Sequence, residues 1–237
     1  MSIGQWTRRW AEDRQVICHY YPESESTNTE IKKRLYELEG QQTLLVVCDH
    51  QTKGKGRGIH SWSDVPGASL LSSWAFSLRR PPQHITSPLL GLAVYRACVK
   101  MWPTLAWSLK APNDIFLGAN KVAGILTENI SSGPVNHLII GLGMNVLAAP
   151  QVEQAGALSQ SISEIDDELT WYEFLDGLHT ELRAALESIT AYNLSPNQCR
   201  ELLVALNAYP FLEETYGLVD GEGNLHSRNG TRPWTQL

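Results

Sequence analysis

Four short apolar segments in the middle of the chain most constrain the fold. Turn residues separate them, and each segment has the length and composition of a strand. The predicted strands are residues 105–109, 115–117, 122–129 and 136–142. The tripeptide Gly118-Ala119-Asn120 predicts a hairpin between the middle two. The pattern therefore favours a sheet built from antiparallel hairpins.

Helical patterns flank these strands. Residues 87–101 begin with Ser-Pro, and proline suits the first turn of a helix. Thr170 with Glu173 forms a capping-box pattern ahead of an amphipathic helix that runs to about residue 190. Residues 195–206 predict a last short helix. Antiparallel hairpins combined with a few long helices are typical of an α+β protein, not of a doubly wound one.

The N-terminal third predicts further strands and one more helix. Residues 16–21 and 43–48 are apolar runs typical of strands. Thr27 is the predicted N-cap of a helix between them, because Glu30 three residues later completes a capping box. Alternation late in the segment predicts that Ser69–Leu78 is a half-buried antiparallel strand.

Composition excludes several classes of protein. The chain has 237 residues and a net charge of −6, so one substantial domain is expected and nucleic-acid binding is not. No apolar run approaches the length that spans a bilayer, and the polar N-terminus lacks a signal-peptide pattern. A cytoplasmic protein without membrane contact is expected. The four cysteines are widely spaced, which predicts neither a zinc site nor a disulfide framework.

A glycine-rich loop follows the strand at residues 43–48. Residues 51–62 read QTKGKGRGIHSW, with three glycines alternating with Lys55 and Arg57. Glycine lets a backbone approach a ligand closely, and the exposed N–H groups of such a loop form an anion site. Taken alone, an ordinary solvated loop is the simpler interpretation.

Four blocks in order along the chain together resemble the catalytic domain of biotin–protein ligases. The blocks are ESTN at residues 25–28, the GKGRG loop at 51–62, KAPND with KVAGIL at 110–126, and GLGMNV at 141–146. The ordered set is far more specific than any one block.

The resemblance implies a mixed, largely antiparallel sheet backed by helices. The expected catalytic domain covers residues 1–192, and a short C-terminal helix with an abridged small β domain covers residues 193–237. Too few residues precede Ser26 for a DNA-binding winged helix, so the monofunctional form without a DNA-binding domain is expected.

The activity implied by the resemblance is ATP-dependent ligation of biotin to protein. The biotin carboxylate attacks the α-phosphate of ATP, which is bound with Mg²⁺, to give biotinyl-5′-AMP. A lysine of an acceptor such as a biotin carboxyl carrier domain then displaces AMP. Charge builds on the phosphoryl oxygens in the first step, so fixed donors and cations are needed there. A homodimer is left open.

Residue roles follow from the same resemblance. Lys121 and Arg57 are the expected catalytic residues, and the loop around Arg57 is expected to close over the intermediate as a lid. The expected biotin-binding residues are Ser26, Thr27, Asn28, Gln51, Lys55, Gly56, Arg57 and Lys121. The expected ATP- and adenylate-binding residues are Gly54, Lys55, Arg57, Trp62, Lys110, Asn113 and Asn145.

Structural alternatives stay open for several of these residues. Thr27 has a second role as a helix cap. Trp62 either contacts adenine, props the loop or is an ordinary core residue. Lys110 either reaches the triphosphate or is a surface lysine at a strand end. Asn113 and Asp114 either orient Mg²⁺ or form a turn. Asn145 either lies near the phosphates or likewise forms a turn.

The sequence departs from the family pattern at three positions. Ala111 stands where the family has tryptophan, Ile59 where it often has glycine, and His60 where arginine or asparagine is common. Two other functions also stay open. One is a lipoate or octanoate protein ligase or transferase of the same superfamily, whose usual motifs lack GKGRG before a tryptophan. The other is a degenerate, non-enzymatic biotin-binding protein.

Overall fold

The computed structural model of the protein describes residues 1–38, 42–133, 135–163, 165 and 167–234. It divides into two compact units. The first comprises Met1–Pro81 with Val122–Leu175, and the second comprises Pro82–Lys121 with Asp176–Leu237. The domain boundary expected at residue 192 stays a prediction. Within the described ranges, no helix is both long and apolar enough to cross a membrane.

The described residues form five α-helices and ten strands. The helices are α1 (Ile3–Asp13), α2 (Thr27–Lys32), α3 (Thr86–Met101), α4 (Glu168–Ser188) and α5 (Pro196–Asn207). The strands are β1 (Ile17–Tyr21), β2 (Leu44–Cys48), β3 (Ser69–Leu78), β4 (Trp107–Lys110), β5 (Asp114–Leu117), β6 (Asn120–Ser132), β7 (Val135–Asn145), β8 (Leu218–Val219), β9 (Asn224–Ser227) and β10 (Gly230–Pro233).

A mixed sheet forms the centre of the first unit. Its strands lie in the order β1-β2-β3-β7-β6. Strands β1 and β2 run parallel, whereas β3 is antiparallel to β2 and β7, and β6 is antiparallel to β7. Helices α1 and α2 pack against this sheet. The expected mixed, largely antiparallel sheet backed by helices is therefore confirmed.

The second unit contains the β4–β5 hairpin and a small three-stranded sheet. Helix α5 contacts both β4 and β8, and α3 contacts β4 and α5. Strands β8, β9 and β10 are antiparallel neighbours in chain order. This sheet is the abridged small β segment that the sequence predicted at the C-terminus.

Strand β3 is buried on both faces, so the prediction of a half-buried strand was wrong. Ala75 belongs to a core cluster with α2 residue Ile31, whereas the neighbouring Trp74 makes an edge-on contact with Trp10 of α1 at 5.8 Å. Successive side chains of a strand point to opposite faces. The two helices therefore cover opposite faces of β3. Its serines Ser69, Ser72 and Ser73 are buried and have hydrogen-bond partners.

Two predicted helix caps were also wrong. Ser26, not Thr27, is the N-cap of α2, and its side chain makes no capping hydrogen bond. Thr27 is instead the first helical residue, because its hydroxyl is engaged in contacts outside the helix. Helix α4 begins at Glu168, and the Asp167 carboxylate accepts from the Thr170 N–H at 2.8 Å. Thr170 is therefore inside the helix that it was expected to cap.

Helix α1 was not predicted, although its signal is present in the sequence. Ser2 and Gln5 form a reciprocal capping box at its start. Ile3, Trp6 and Trp10 recur at helical spacing and are buried. The many charged residues of this segment lie on the other face, which is why its overall composition suggested a polar tail.

A threonine in α1 supports a buried tryptophan, and this gives a stability prediction. The Trp171 Nε1–H donates to Thr7 Oγ1 at 3.0 Å, and both side chains are fully buried. Thr7→Val keeps the shape but leaves the indole N–H without this acceptor. We expect the free energy of unfolding, measured by urea denaturation, to fall by about 1–3 kcal/mol.

Thr180→Val is the matched control for that variant. Each threonine hydroxyl donates to a carbonyl one helical turn earlier at 2.8 Å, Thr7 to Ile3 and Thr180 to Asp176, but Thr180 is exposed. Its loss should change stability by no more than about 0.5 kcal/mol. Equal effects of the two substitutions would contradict the importance of the Thr7–Trp171 bond.

Candidate active site

Backbone hydrogen bonds join the ESTN block to the start of the glycine loop. The Ser24 N–H donates to the His50 carbonyl at 3.0 Å, and the Thr52 N–H donates to the Ser24 carbonyl at 2.9 Å. The Lys53 N–H donates to the Glu25 carbonyl at 2.9 Å. Two blocks that are distant in sequence therefore run side by side in the first unit.

Gln51 is oriented by Thr27. The Gln51 side-chain oxygen accepts from the Thr27 N–H at 2.8 Å and lies 3.2 Å from the Thr27 hydroxyl. Because an amide has its acceptor at one end and its donors at the other, this contact leaves the NH₂ group of Gln51 as the end that can donate to a ligand.

Asn28 is held on both sides of its amide. It is 3% exposed, its NH₂ group donates to Glu128 Oε1 at 2.8 Å, and its oxygen accepts a short hydrogen bond from the Ser73 hydroxyl. Lys32 forms an ion pair with the same Glu128 carboxylate. Sequence reasoning predicted Asn28 and missed Glu128, Ser73 and Lys32, because strand pairing and helix packing bring these residues together.

The Glu128 carboxylate stays ionised in this surrounding. Burial acts to raise its pKa, but hydrogen bonds from Lys32 and Asn28, together with the charges of Lys32 and Lys55, more than offset that effect. The pKa of Glu128 therefore lies below its usual value.

The glycines of the GLGMN block make room for other site residues. A side chain at Gly141 would put its Cβ 2.5 Å from the Asn28 amide oxygen. A Cβ at Gly143 would lie 2.5 Å from the Trp62 ring. Trp62 therefore packs its indole directly on the backbone of β7. Whether it also contacts adenine stays a prediction.

The glycine loop is a narrow hairpin. The Trp62 N–H donates to the Gly54 carbonyl at 2.9 Å, and the Gly56 N–H donates to the His60 carbonyl at 2.8 Å. The His60 N–H closes a turn on the Arg57 carbonyl at 3.2 Å. Gly58 follows Arg57 with a φ of +65°, a conformation that favours glycine at this position of a two-residue hairpin turn.

The side chains of the hairpin tip are exposed. Lys55, Arg57 and His60 all face solvent, and Ile59 is 100% exposed. The departure from the family pattern at Ile59 thus lies at the tip of the turn and not in a packed wall. Nearby, Lys53 pairs with Glu25 at 2.6 Å, and the hydrogen bond and charge of Lys53 hold the pKa of Glu25 below its usual value.

Asn145 has a structural contact. Its side chain is buried at the end of β7, and its NH₂ group donates to the Gly156 carbonyl at 3.0 Å. This bond ties the loop after β7 to the sheet. The expected contact of Asn145 with phosphate stays a prediction.

In the second unit, Lys121 forms an ion pair with Asp114. The Lys121 ammonium lies 2.7 Å from a carboxylate oxygen of Asp114, and the lysine side chain is 34% exposed. Asp114 begins β5 opposite Lys110, so Ala111 to Asn113 form the connecting turn. Two residues with predicted roles at ATP are thus direct partners.

The second lysine of this block, Lys110, has aromatic neighbours. Its ammonium lies 5.6 Å from the Tyr209 ring centre and 5.9 Å from that of Phe116, which are cation–π distances. Lys110 and Ala111 also line a cavity of about 460 Å³ in the second unit. The other lining residues are Leu109, Leu206, Tyr209, Phe211, Leu212, Glu213, Glu214, Tyr216, Leu225, Ser227, Asn229 and Arg232. The small side chain of Ala111 leaves this space open.

No cluster of three metal-ligating side chains of the His, Cys, Asp or Glu type occurs among the described residues. The site residues are amides, hydroxyls, ammonium groups and guanidinium groups, together with the carboxylates that pair with them. Such groups suit a ligand that combines a neutral polar ring with an anion.

The fold and the sequence together indicate a family of protein ligases. Residues 20–145 match the sequence model of the biotin/lipoate A/B protein ligase family, which is just over half of the chain, and the protein belongs to this family. The predicted resemblance is therefore confirmed.

Named relatives agree with this assignment. The chain is 29% identical over 181 residues to the bifunctional ligase/repressor BirA of Escherichia coli, covering 74% of this chain and 55% of that protein. It is 30% identical over 185 residues to the biotin–[acetyl-CoA-carboxylase] ligase of Paracoccus denitrificans, covering 73% of this chain and 74% of that protein. The match thus spans little more than half of the Escherichia coli protein.

Solved structures share the fold. The biotin protein ligase of Aquifex aeolicus in complex with biotin and ATP has a TM-score of 0.66 and 23% identity, covering 91% of this chain and 94% of that one. The biotin protein ligase of Leishmania major in complex with biotinyl-5-AMP has a TM-score of 0.64 and 22% identity, covering 90% of this chain and 96% of that one.

Proposed function

We propose that this protein is an ATP-dependent biotin–protein ligase that works through biotinyl-5′-AMP. The observation that carries the proposal is the ordered contact of the ESTN block with the glycine loop, with Gln51 fixed on Thr27 at 2.8 Å. The names of the relatives point the same way, since the Paracoccus protein is called a biotin–[acetyl-CoA-carboxylase] ligase. The Aquifex structure contains biotin and ATP.

The polar character of the first unit's site favours biotin over lipoate. The NH₂ group of Gln51 and the Thr27 hydroxyl suit the ureido ring, which carries both N–H and C=O groups. The dithiolane ring of lipoate has neither. A ligand without these groups would leave buried polar groups unpaired, which costs about 1–3 kcal/mol for each.

The activation step needs positive charge where negative charge builds. A biotin carboxylate oxygen forms a bond to the α-phosphorus of ATP, and the bond to pyrophosphate breaks. Lys55 and Arg57 are the exposed cations of the hairpin in the first unit. Lys121 is the proposed catalytic cation of the second unit, where Asp114 holds its ammonium group. Fixed cations stabilise such a transition state.

Magnesium would accompany ATP in this step. Mg²⁺ at nucleotide sites takes most of its ligands from phosphates and water and needs only one or two carboxylates. Asp114, with the amide of Asn113 beside it, fits that requirement. The remaining chemistry belongs to the acceptor, a biotin carboxyl carrier domain. Its lysine amine attacks the activated carbonyl, AMP leaves, and the amine loses a proton.

Two measurements on the whole chain test the function. Incubation with biotin, ATP and Mg²⁺ should give a bound biotinyl-AMP, detected by mass spectrometry under native conditions, and biotin-dependent ATP–pyrophosphate exchange. Exchange driven by lipoate and not by biotin would indicate the lipoate ligase alternative. Biotin binding without exchange would indicate a binding protein, and either result would overturn the proposal.

Arg57→Gly tests the lid role of the hairpin. Removing this exposed guanidinium should weaken retention of the adenylate, so the activated acid diffuses away and labels lysines of bystander proteins. We expect bystander labelling to rise about tenfold or more, since one charge-assisted hydrogen bond is worth about 1.5–3 kcal/mol. Streptavidin blotting of a protein mixture measures it.

His60→Gly is the control for the Arg57 variant. His60 closes the same turn and is also exposed, but it lacks the guanidinium group of Arg57. Biotin labelling by the His60→Gly variant should stay confined to the acceptor protein. Confined labelling in Arg57→Gly as well would contradict the lid role.

A further inference from the structure

We infer that Glu128 and Ser73 are positioning residues that set the direction of the hydrogen bonds around Thr27, so that the Thr27 hydroxyl can only accept from a ligand. The inference rests on the proposed function, because it concerns recognition of the biotin ureido ring. It assigns a role to two residues that lie on strands β6 and β3 and outside every recognised block of the sequence.

The donor and acceptor roles in these hydrogen bonds are set first at Glu128. An ionised carboxylate can only accept hydrogen bonds, and Lys32 beside it keeps Glu128 ionised. Asn28 must therefore turn its NH₂ group to Glu128, at 2.8 Å. Its amide oxygen then faces Ser73, and that oxygen can only accept.

Ser73 in turn determines the direction of the hydrogen bond between its own hydroxyl and that of Thr27. The Ser73 oxygen contacts both the Asn28 amide oxygen and the Thr27 hydroxyl oxygen, the latter at 2.8 Å. A serine hydroxyl has one proton. Because Asn28 cannot donate from its oxygen, the Ser73 proton goes to Asn28. Thr27 must then donate its own proton to Ser73, and not to the more distant Gln51 at 3.2 Å.

The result is a threonine oxygen with no proton left for a ligand. Its lone pairs are complementary to an N–H group, and they repel a ring atom that carries only lone pairs. Burial makes this arrangement rigid, since Ser73 is 0% exposed and Asn28 is 3% exposed. The four residues Glu128, Asn28, Ser73 and Thr27 thus select for a ureido N–H.

Two oxazolidinone analogues of biotin, each with one ureido N–H replaced by oxygen, make this testable. Isothermal titration measures the affinity of the whole chain for biotin and for each analogue. The wild-type protein should prefer biotin about a hundredfold over the analogue that lacks the N–H facing Thr27. In Ser73→Ala and Glu128→Gln that ratio should fall to about tenfold or less, because the Thr27 hydroxyl can then rotate and donate to the ring oxygen.

The ratio of the affinity for biotin to that for the analogue distinguishes a positioning role from a general disruption of the site. A substitution that merely loosens the site weakens biotin and the analogue equally and leaves the ratio unchanged. Ser77→Ala is the control, since Ser77 lies on the same face of β3 but contacts His137, at 3.4 Å. Its ratio should equal that of the wild type. If one of the two test variants fails to fold in a thermal melt, the other decides.

The outcomes for the two proposals are distinct. Wild-type protein that binds biotin tightly, with an unchanged ratio in each folded variant, overturns the positioning role and leaves the ligase function standing. Wild-type protein that does not bind biotin overturns the ligase function and, with it, this inference.

Discussion

Lys121→Ala will reduce biotin-dependent ATP–pyrophosphate exchange by about a hundredfold to a thousandfold, the usual cost of removing one transition-state donor. The variant lacks the cation that we assign to the developing phosphoryl charge. It also leaves the Asp114 carboxylate, which lies 2.7 Å from the ammonium group, without its partner.

The fold should survive this change. The Lys121 side chain is 34% exposed, and a partly exposed ion pair contributes at most about 1 kcal/mol to stability. Lys53→Ala is the matched control, since Lys53 is also paired with a carboxylate, at 2.6 Å from Glu25. It should keep exchange within about twofold of wild type, as expected for an exposed pair. Full exchange in Lys121→Ala would show that the catalytic assignment is wrong.

Gly143→Ala should destabilise the protein by about 1–3 kcal/mol and impair exchange as well. The new methyl group would lie 2.5 Å from the indole of Trp62, so the ring must move. Trp62 ends the hairpin that carries Lys55 and Arg57. The backbone N–H of Trp62 donates to the Gly54 carbonyl. Displacement of the ring therefore shifts the base of the hairpin. Chemical denaturation and the exchange assay measure the two effects.

Gly177→Ala is a control that should change the free energy of unfolding in the opposite direction. Gly177 lies within α4, and a Cβ there would meet nothing within 4 Å. Alanine in a helix interior is more stable than glycine by about 0.5–1 kcal/mol, so this variant should gain stability and keep full exchange. A Gly143→Ala protein as stable and active as wild type would contradict the close contact of Trp62 with β7.

Much of the fold could be predicted because the local patterns agree with the final structure. The hairpin at residues 118–120, the helix after Ser87 and the last helix from Pro196 all appear where turn and capping residues place them. Errors arose where tertiary contacts override local signals. Thr27 fits a capping box, yet its hydroxyl contacts Ser73 and Gln51 instead.

The sequence offered the candidate site as a set of blocks but not as a network. The block order and the family resemblance predict roles for Gln51, Arg57 and Lys121, and these roles stay predictions. Partners such as Ser73 and Glu128 carry no such signal. A serine in an apolar strand and a glutamate in a hairpin strand look ordinary until pairing and packing place them beside Asn28.

The sequence by itself determined the class of fold, the family and the residue types available for chemistry, since these depend on local periodicity and on the order of short motifs. Only the tertiary structure decided which polar groups meet and which lysines have carboxylate partners. The physical reason is that a hydrogen bond or ion pair between residues far apart in the chain forms only if its length is right to within about a few tenths of an ångström. Strand register and helix packing set those distances, and no local pattern encodes them.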